Sequence, residues 1–183
     1  MSKTRNKTTV DQDRADLELF LRRQGIFDKL HRHGTRPTWF SCCMPPSPPI
    51  VLGTHLLGVY DLLKKYNSST STCIAGGLHS VYGTNIFKGL RASDERRKAV
   101  ISTFGESPAR LVYLFSTINR PIGLETGRLV DVKSGELVVI SSAELHALRL
   151  IEAANLIDQS LGGQLHRDYP SIAAVWDEHA TAN

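Results

Sequence analysis

The strongest constraint in this chain is a succession of apolar stripes at helical spacing, each bounded by capping signals. Residues 11–24 place Leu17, Phe20 and Leu21 on one face, with Gly25 as a stop. Residues 54–66, THLLGVYDLLKKY, carry Leu56, Tyr60 and Leu63 at the same period, with Lys64 and Lys65 in the last turn. The polar run 67–72 offers an N-cap to a further helix from about Cys73, in which Gly76 and Gly77 point to close approach by a neighbouring helix. Ser93 with Asp94 and Glu95 opens a helix to about Thr103, and Ser107-Pro108 opens the next, whose stripe is Leu111, Leu114, Phe115 and Ile118. Ser141 and Glu144 form a capping box for a long helix to about Leu161, closed by Gly162-Gly163, and a final short helix follows Pro170.

Two segments break the helical pattern. Residues 127–141 alternate and turn at Lys133-Ser134-Gly135, which predicts a short β-hairpin. Residues 36–51 hold five of the eight prolines and two of the three cysteines, and read as an irregular insertion, neither strand nor helix. The expected fold is therefore mostly α, a helical bundle with one small β-hairpin. Residues 1–10 are expected to be a disordered tail, 11–165 the domain with its 36–51 insertion, and 166–183 a tail or short helix.

Charge and cysteine usage narrow the function classes. The net charge of +4 (22 basic, 18 acidic residues) is mild, and the cluster Arg91, Arg96, Arg97 and Lys98 has no interleaved aromatics, so nucleic acid is not an expected partner. Cys42 and Cys43 are adjacent and Cys73 stands apart, a pattern that fits neither zinc spacing nor a disulfide framework. No run of about 20 apolar residues suggests a membrane span. A cytoplasmic protein acting on a small molecule is the expectation.

The chemistry-bearing residues are His55 and His79. Each lies on a predicted helix, 24 positions apart (79 − 55), a helix–loop–helix distance that lets two antiparallel helices bring both imidazoles together. Tyr82, one turn beyond His79, is a candidate proton donor, and Glu152 can share a helix face with Asn155. Asp61 and Asp158 read as surface residues.

THLLGVYDLL (54–63), AGGLHSVYGT (75–84), FGESPARLVYLFSTI (104–118) and EAANLIDQ (152–159) together resemble the HD superfamily of metal-dependent phosphohydrolases, whose signature is a His-Asp pair. The hydrolase domain of the alarmone synthetase/hydrolases is the similar characterised member. A small uncharacterised HD-like family with Ser after the second histidine is more similar still. The resemblance spans roughly residues 15–162 and implies an HD-like helical fold. By position, His55 and His79 keep the two histidine ligands, while Ser80 and Asn155 stand where the family has aspartates. This set carries no formal charge, and hard cations such as Mn²⁺ and Mg²⁺ depend on anionic oxygens. Without such a metal, water remains a poor nucleophile at neutral pH, so nucleotide phosphohydrolysis by the family route is disfavoured.

Omitting residues 36–51 places His31 eight positions before His55, as in the uncharacterised family. His31 (or His33), His55 and His79 would form a three-imidazole set suited to Zn or Fe as a divalent ion. Ser80 and Asn155 would then orient substrate. Two readings stay open: a small enzyme that hydrolyses, isomerises or rearranges a small organic molecule, and a metal-free binding or regulatory module that has lost the chemistry.

Overall fold

The computed structural model describes residues 7–31, 50–83 and 93–182, with side chains at 12–30, 51–83 and 93–182. Over these the chain is mostly helical: α1 (Lys7–Arg23), α2 (Leu52–Lys65), α3 (Thr70–Leu78), α4 (Asp94–Phe104), α5 (Glu106–Thr117), α6 (Ile122–Thr126), α7 (Ser142–Asp158), α8 (Gly162–Asp168) and α9 (Pro170–Thr181). Two short strands, β1 (Leu30–His31) and β2 (Ile50–Val51), pair antiparallel.

The helix starts follow local chemistry. Ser69 accepts from Thr72 N at 3.2 Å to open α3, and Ser93 accepts from Arg96 N to open α4. The capping box at Ser141 and Glu144 opens α7. Helix α5 starts at Glu106 behind Gly105, so Pro108 stands third and not first in it. Helix α7 stops at Asp158, because Ser160 adopts a left-handed φ of 61°, and Gly162-Gly163 open α8 instead of closing α7.

Helix α7 runs through the middle of the bundle, packing against α2, α3, α5, α6, α8 and α9. The stripes expected on α1, α2 and α5 are buried: Leu17, Phe20, Leu21, Leu56, Tyr60, Leu63, Leu111, Leu114, Phe115 and Ile118 all lie in one core. Each such side chain contributes roughly 1.5–3 kcal/mol of hydrophobic stabilisation. Gly76 and Gly77 let α2 and α3 meet closely. A Cβ at Gly76 would strike Leu63 of α2, and one at Gly77 would strike Leu17 of α1. Arg14 of α1 grips Asp61 of α2 through two hydrogen bonds of 2.7 and 2.9 Å.

Two expectations are corrected. No hairpin forms over 127–141, where only isolated bridges Ile118–Asp131 and Val130–Leu137 occur. The turn itself closes, with Lys133 and Ser134 N–H donating to Asp131 Oδ1 and Gly135 at φ 74°. Its first arm divides its hydrogen bonds between the end of α5 (Val132 N to Thr117 O, Asn119 N to Val130 O) and the second arm (Asp131 N to Glu136 O, Val138 N to Leu129 O), so no continuous ladder runs between the arms. The second correction concerns 36–51. Ile50 and Val51 at its end form β2, held by Leu52 N donating to Lys29 O at 2.6 Å as α2 begins. Residues 36–49 and His33 lie outside the described residues, as do Arg91 and the extreme N-terminal residues.

Candidate functional site

The α2–α3 pair is antiparallel, so the first turn of α2 and the end of α3 lie at the same end of the bundle, beside the last turn of α7. His55, His79 and Asn155 meet there. Both histidines are 1 % exposed, and their rings stand edge to face with centroids 5.1 Å apart and planes at 84°. The expectation that two helices bring these imidazoles together is met.

Their hydrogen bonds fix their protons. His79 closes α3, and its Nδ1 lies 2.7 Å from the Gly76 carbonyl. A carbonyl only accepts, so Nδ1 carries the proton and, in the neutral ring, the lone pair sits on Nε2. His55 Nδ1 lies 2.6 Å from Asp158 Oδ2, which selects the same tautomer. His55 Nε2 is 3.1 Å from Asn155 Oδ1, which also lies 2.8 Å from Gln159 Nε2. With the Asn155 amide as assigned, Oδ1 accepts from a His55 ring protonated at both nitrogens. With both amides turned, Asn155 Nδ2–H donates to the Nε2 of a neutral ring.

The sequence reads Asp158 as a surface residue, and here the structure differs. Its side chain is 24 % exposed and its carboxylate reaches a buried imidazole. The reach depends on Gly58, one turn beyond His55 on α2, where a Cβ would collide with Asp158 Oδ1. The charge-neutral set expected around the histidines thus acquires a carboxylate, placed behind His55 and not between the two rings.

A second buried feature adjoins the first. Glu152, a turn before Asn155 on α7, is 1 % exposed and accepts a 2.7 Å hydrogen bond from Arg120 Nη1. The Arg120 guanidinium lies 4.1 Å from the centroid of the Phe115 ring, and Phe115 in turn stands 5.4 Å from His79, edge to face. The chain of contacts runs Glu152–Arg120–Phe115–His79–His55–Asp158. In the sequence, Asn119-Arg120-Pro121 signals only the end of a helix, with nothing local to mark Arg120 as buried.

The remaining candidates are placed as follows. Ser80 is buried in the turn after α3, its carbonyl accepting from Gly83 N at 3.0 Å. Tyr82 is 4 % exposed, and among the described residues its hydroxyl has no hydrogen-bond partner. Burial raises the Tyr82 hydroxyl above the ordinary tyrosine value, opposed by Arg97 and Arg96, so it stays protonated at neutral pH. No described contact joins Tyr82 to either histidine. His31 ends β1 opposite Ile50, and its side chain lies outside the described residues. Burial pushes the Cys73 thiol up to about 11, which leaves it unreactive as a nucleophile.

Among the described residues no group of three or more His, Cys, Asp or Glu side chains is arranged to hold a metal ion. No helix among the described residues is long and apolar enough to cross a membrane.

Residues 49–120, which carry His55, His79 and Arg120, match a family model described as a domain of unknown function (DUF6817). No curated protein and no solved structure matches the chain.

Proposed function

We propose that this chain is an HD-like helical domain that acts on a small organic molecule, by hydrolysis, isomerisation or rearrangement, with His55 as the group that takes up and returns a proton. The observation that carries the reading is the 2.6 Å contact between His55 Nδ1 and Asp158 Oδ2. A carboxylate there holds the imidazole in one tautomer and stabilises an imidazolium, and a substrate that displaces the Asn155 amide from Nε2 would meet the base. His79, locked by Gly76 into the same tautomer, stands edge to face with the His55 ring at 5.1 Å. Asn155 and Ser80 are the groups to orient substrate, Asn155 because its amide already meets His55 Nε2. Arg120 takes up Glu152's carboxylate in an ion pair, which suits Glu152 to holding α7 in place more than to proton transfer.

The same contact favours a second reading. A histidine that binds metal through Nε2 characteristically donates its other ring N–H to a carboxylate. A Zn or Fe ion held by His55, His79 and His31 would supply a Lewis acid and lower the pKa of a bound water. A metal-free binding module is the third outcome, and nucleotide phosphohydrolysis is the least favoured.

A small-molecule library screened by thermal shift, followed by turnover assays on the hits, separates these. Hits whose stabilisation and turnover are lost in His55→Gln and Asp158→Asn support the acid–base reading. Stoichiometric Zn or Fe in untagged protein, lost in the His55→Ala, His79→Ala double variant, moves the assignment to the metal reading. Ligands that bind His55→Gln and His79→Gln as tightly as the parent chain overturn any role for these histidines.

A further inference from the structure

A second histidine pair, His146 and His179, lies apart from the first. His146 is in the second turn of α7, nine residues before Asn155 and so about 14 Å away along the helix axis. His179 is in the last turn of α9, and the two rings stand 6.3 Å apart at 74°. His179 Nε2 lies 2.9 Å from Ser68 Oγ, and the His179 ring also hydrogen-bonds to the Tyr66 backbone. Ser68 is 8 % exposed, and its carbonyl accepts from Cys73 Sγ at 3.5 Å, so the turn it belongs to is itself tied to α3. One turn earlier on α9, Trp176 packs edge to face on Tyr66 at 5.2 Å. His179 is thus the polar clasp, and Trp176 the apolar one, between α9 and the turn that joins α2 to α3.

We propose that His146 and His179 form a proton-operated latch: neutral rings hold the end of α9 against the α2–α3 turn, and protonation in mildly acidic solution loosens it. Several charged groups face this clasp. From the end of α2, Lys65 lies 5.3 Å from the Tyr66 ring, a cation already at the clasp. From α7 comes His146 itself. From α8, His166 pairs with Asp177 of α9 at 3.2 Å, and from α6, Glu125 accepts from Ser171 and Ile172 N–H. The last two contacts serve the outer and opening parts of α9. Acidification strengthens the His166–Asp177 pair two residues before His179, but with both side chains more than half exposed water screens it, so it offsets little of the loosening.

The sign follows from the environment of His179. Burial, followed by the neighbouring His146, lowers its pKa below the ordinary histidine value, with the Tyr66 backbone opposing. A group whose pKa falls on docking contributes its full share above the ordinary value of about 6.5, and loses it as pH drops below that value.

The test is amide hydrogen exchange of the full chain, read by mass spectrometry at about pH 7.5 and about pH 5.5 and corrected for intrinsic rates, a range that spans ordinary histidine titration. Exchange over residues 176–182 is expected to quicken several-fold at the lower pH, while α3 is unchanged. His179→Gln, which keeps a hydrogen-bonding side chain but does not titrate, is expected to abolish the pH effect. His146→Gln is expected to move its midpoint to higher pH, because the neighbour that disfavours protonation of His179 is gone. A pH response in His179→Gln equal to that of the parent chain overturns the proposal, as does a parent chain with no response. Should His179→Gln fail to fold, the shift in His146→Gln decides the matter, and an unmoved midpoint overturns it.

Discussion

Replacing Glu152 by Gln removes one half of the most deeply buried ion pair described in the molecule. Arg120 and Glu152 side chains are 5 % and 2 % exposed, with Nη1 and Oε2 2.7 Å apart. An exposed pair would be worth about 0–1 kcal/mol, because water screens it and long side chains resist being held. At this burial the relevant quantity is different. A guanidinium does not shed its proton, so Glu152→Gln leaves a cation in the interior facing an amide, at a cost of roughly 3–5 kcal/mol. A domain of this size has about 5–15 kcal/mol in all, so the variant is expected to be folded but visibly weakened. Urea unfolding followed by far-ultraviolet circular dichroism measures the loss directly. The double variant Arg120→Met, Glu152→Leu separates charge from packing, and is expected to regain most of the loss, because neither buried charge then remains. A loss below about 1 kcal/mol in Glu152→Gln would refute the reasoning, because only a solvated pair is that cheap to break.

Two further outcomes follow from other parts of the fold. Gly58→Ala should gain up to about 1 kcal/mol of helix propensity in α2 yet displace the Asp158 carboxylate, so unfolding should change little while the His55 ring loses its partner, a change that side-chain nitrogen NMR registers. Arg110 and then the Ser141 backbone hold the Glu144 carboxyl down at about 2, so this group contributes stability fully above its ordinary value of 4.5 and loses it between there and about 2. Arg110→Ala should therefore lose stability relative to the parent chain at neutral pH and show a shallower further loss below pH 4.5 in acid titration followed by circular dichroism.

Much of this was legible in the chain itself, for physical reasons. Helices with a clean stripe and a capping residue announce themselves, as with Leu56, Tyr60 and Leu63 on α2 or Ser141 and Glu144 at α7. The meeting of His55 and His79 followed from helix–loop–helix spacing, and the tight α2–α3 approach from Gly76 and Gly77. Arg120 and Asp158 were harder. A charged residue in a helix-ending turn is usually solvated, and nothing local tells the rare buried one apart. Asp158 did leave a trace: it follows Asn155 by three residues, as Asn155 follows Glu152, and Gly58 opposite it is the gap that admits its carboxylate. The hairpin expectation failed because alternation reports a strand-like backbone without saying which neighbour takes its hydrogen bonds. At 130 and 132 that neighbour is the end of α5, while Asp131 N–H donates across the turn to Glu136 O.

The account rests on the proton of His55 Nδ1, which nitrogen-15 NMR of labelled imidazoles observes directly. A His55 ring protonated at Nδ1, slow to exchange with water and altered in Asp158→Asn, is the predicted result. A His55 ring protonated at Nε2 alone, or one indifferent to Asp158→Asn, would contradict it.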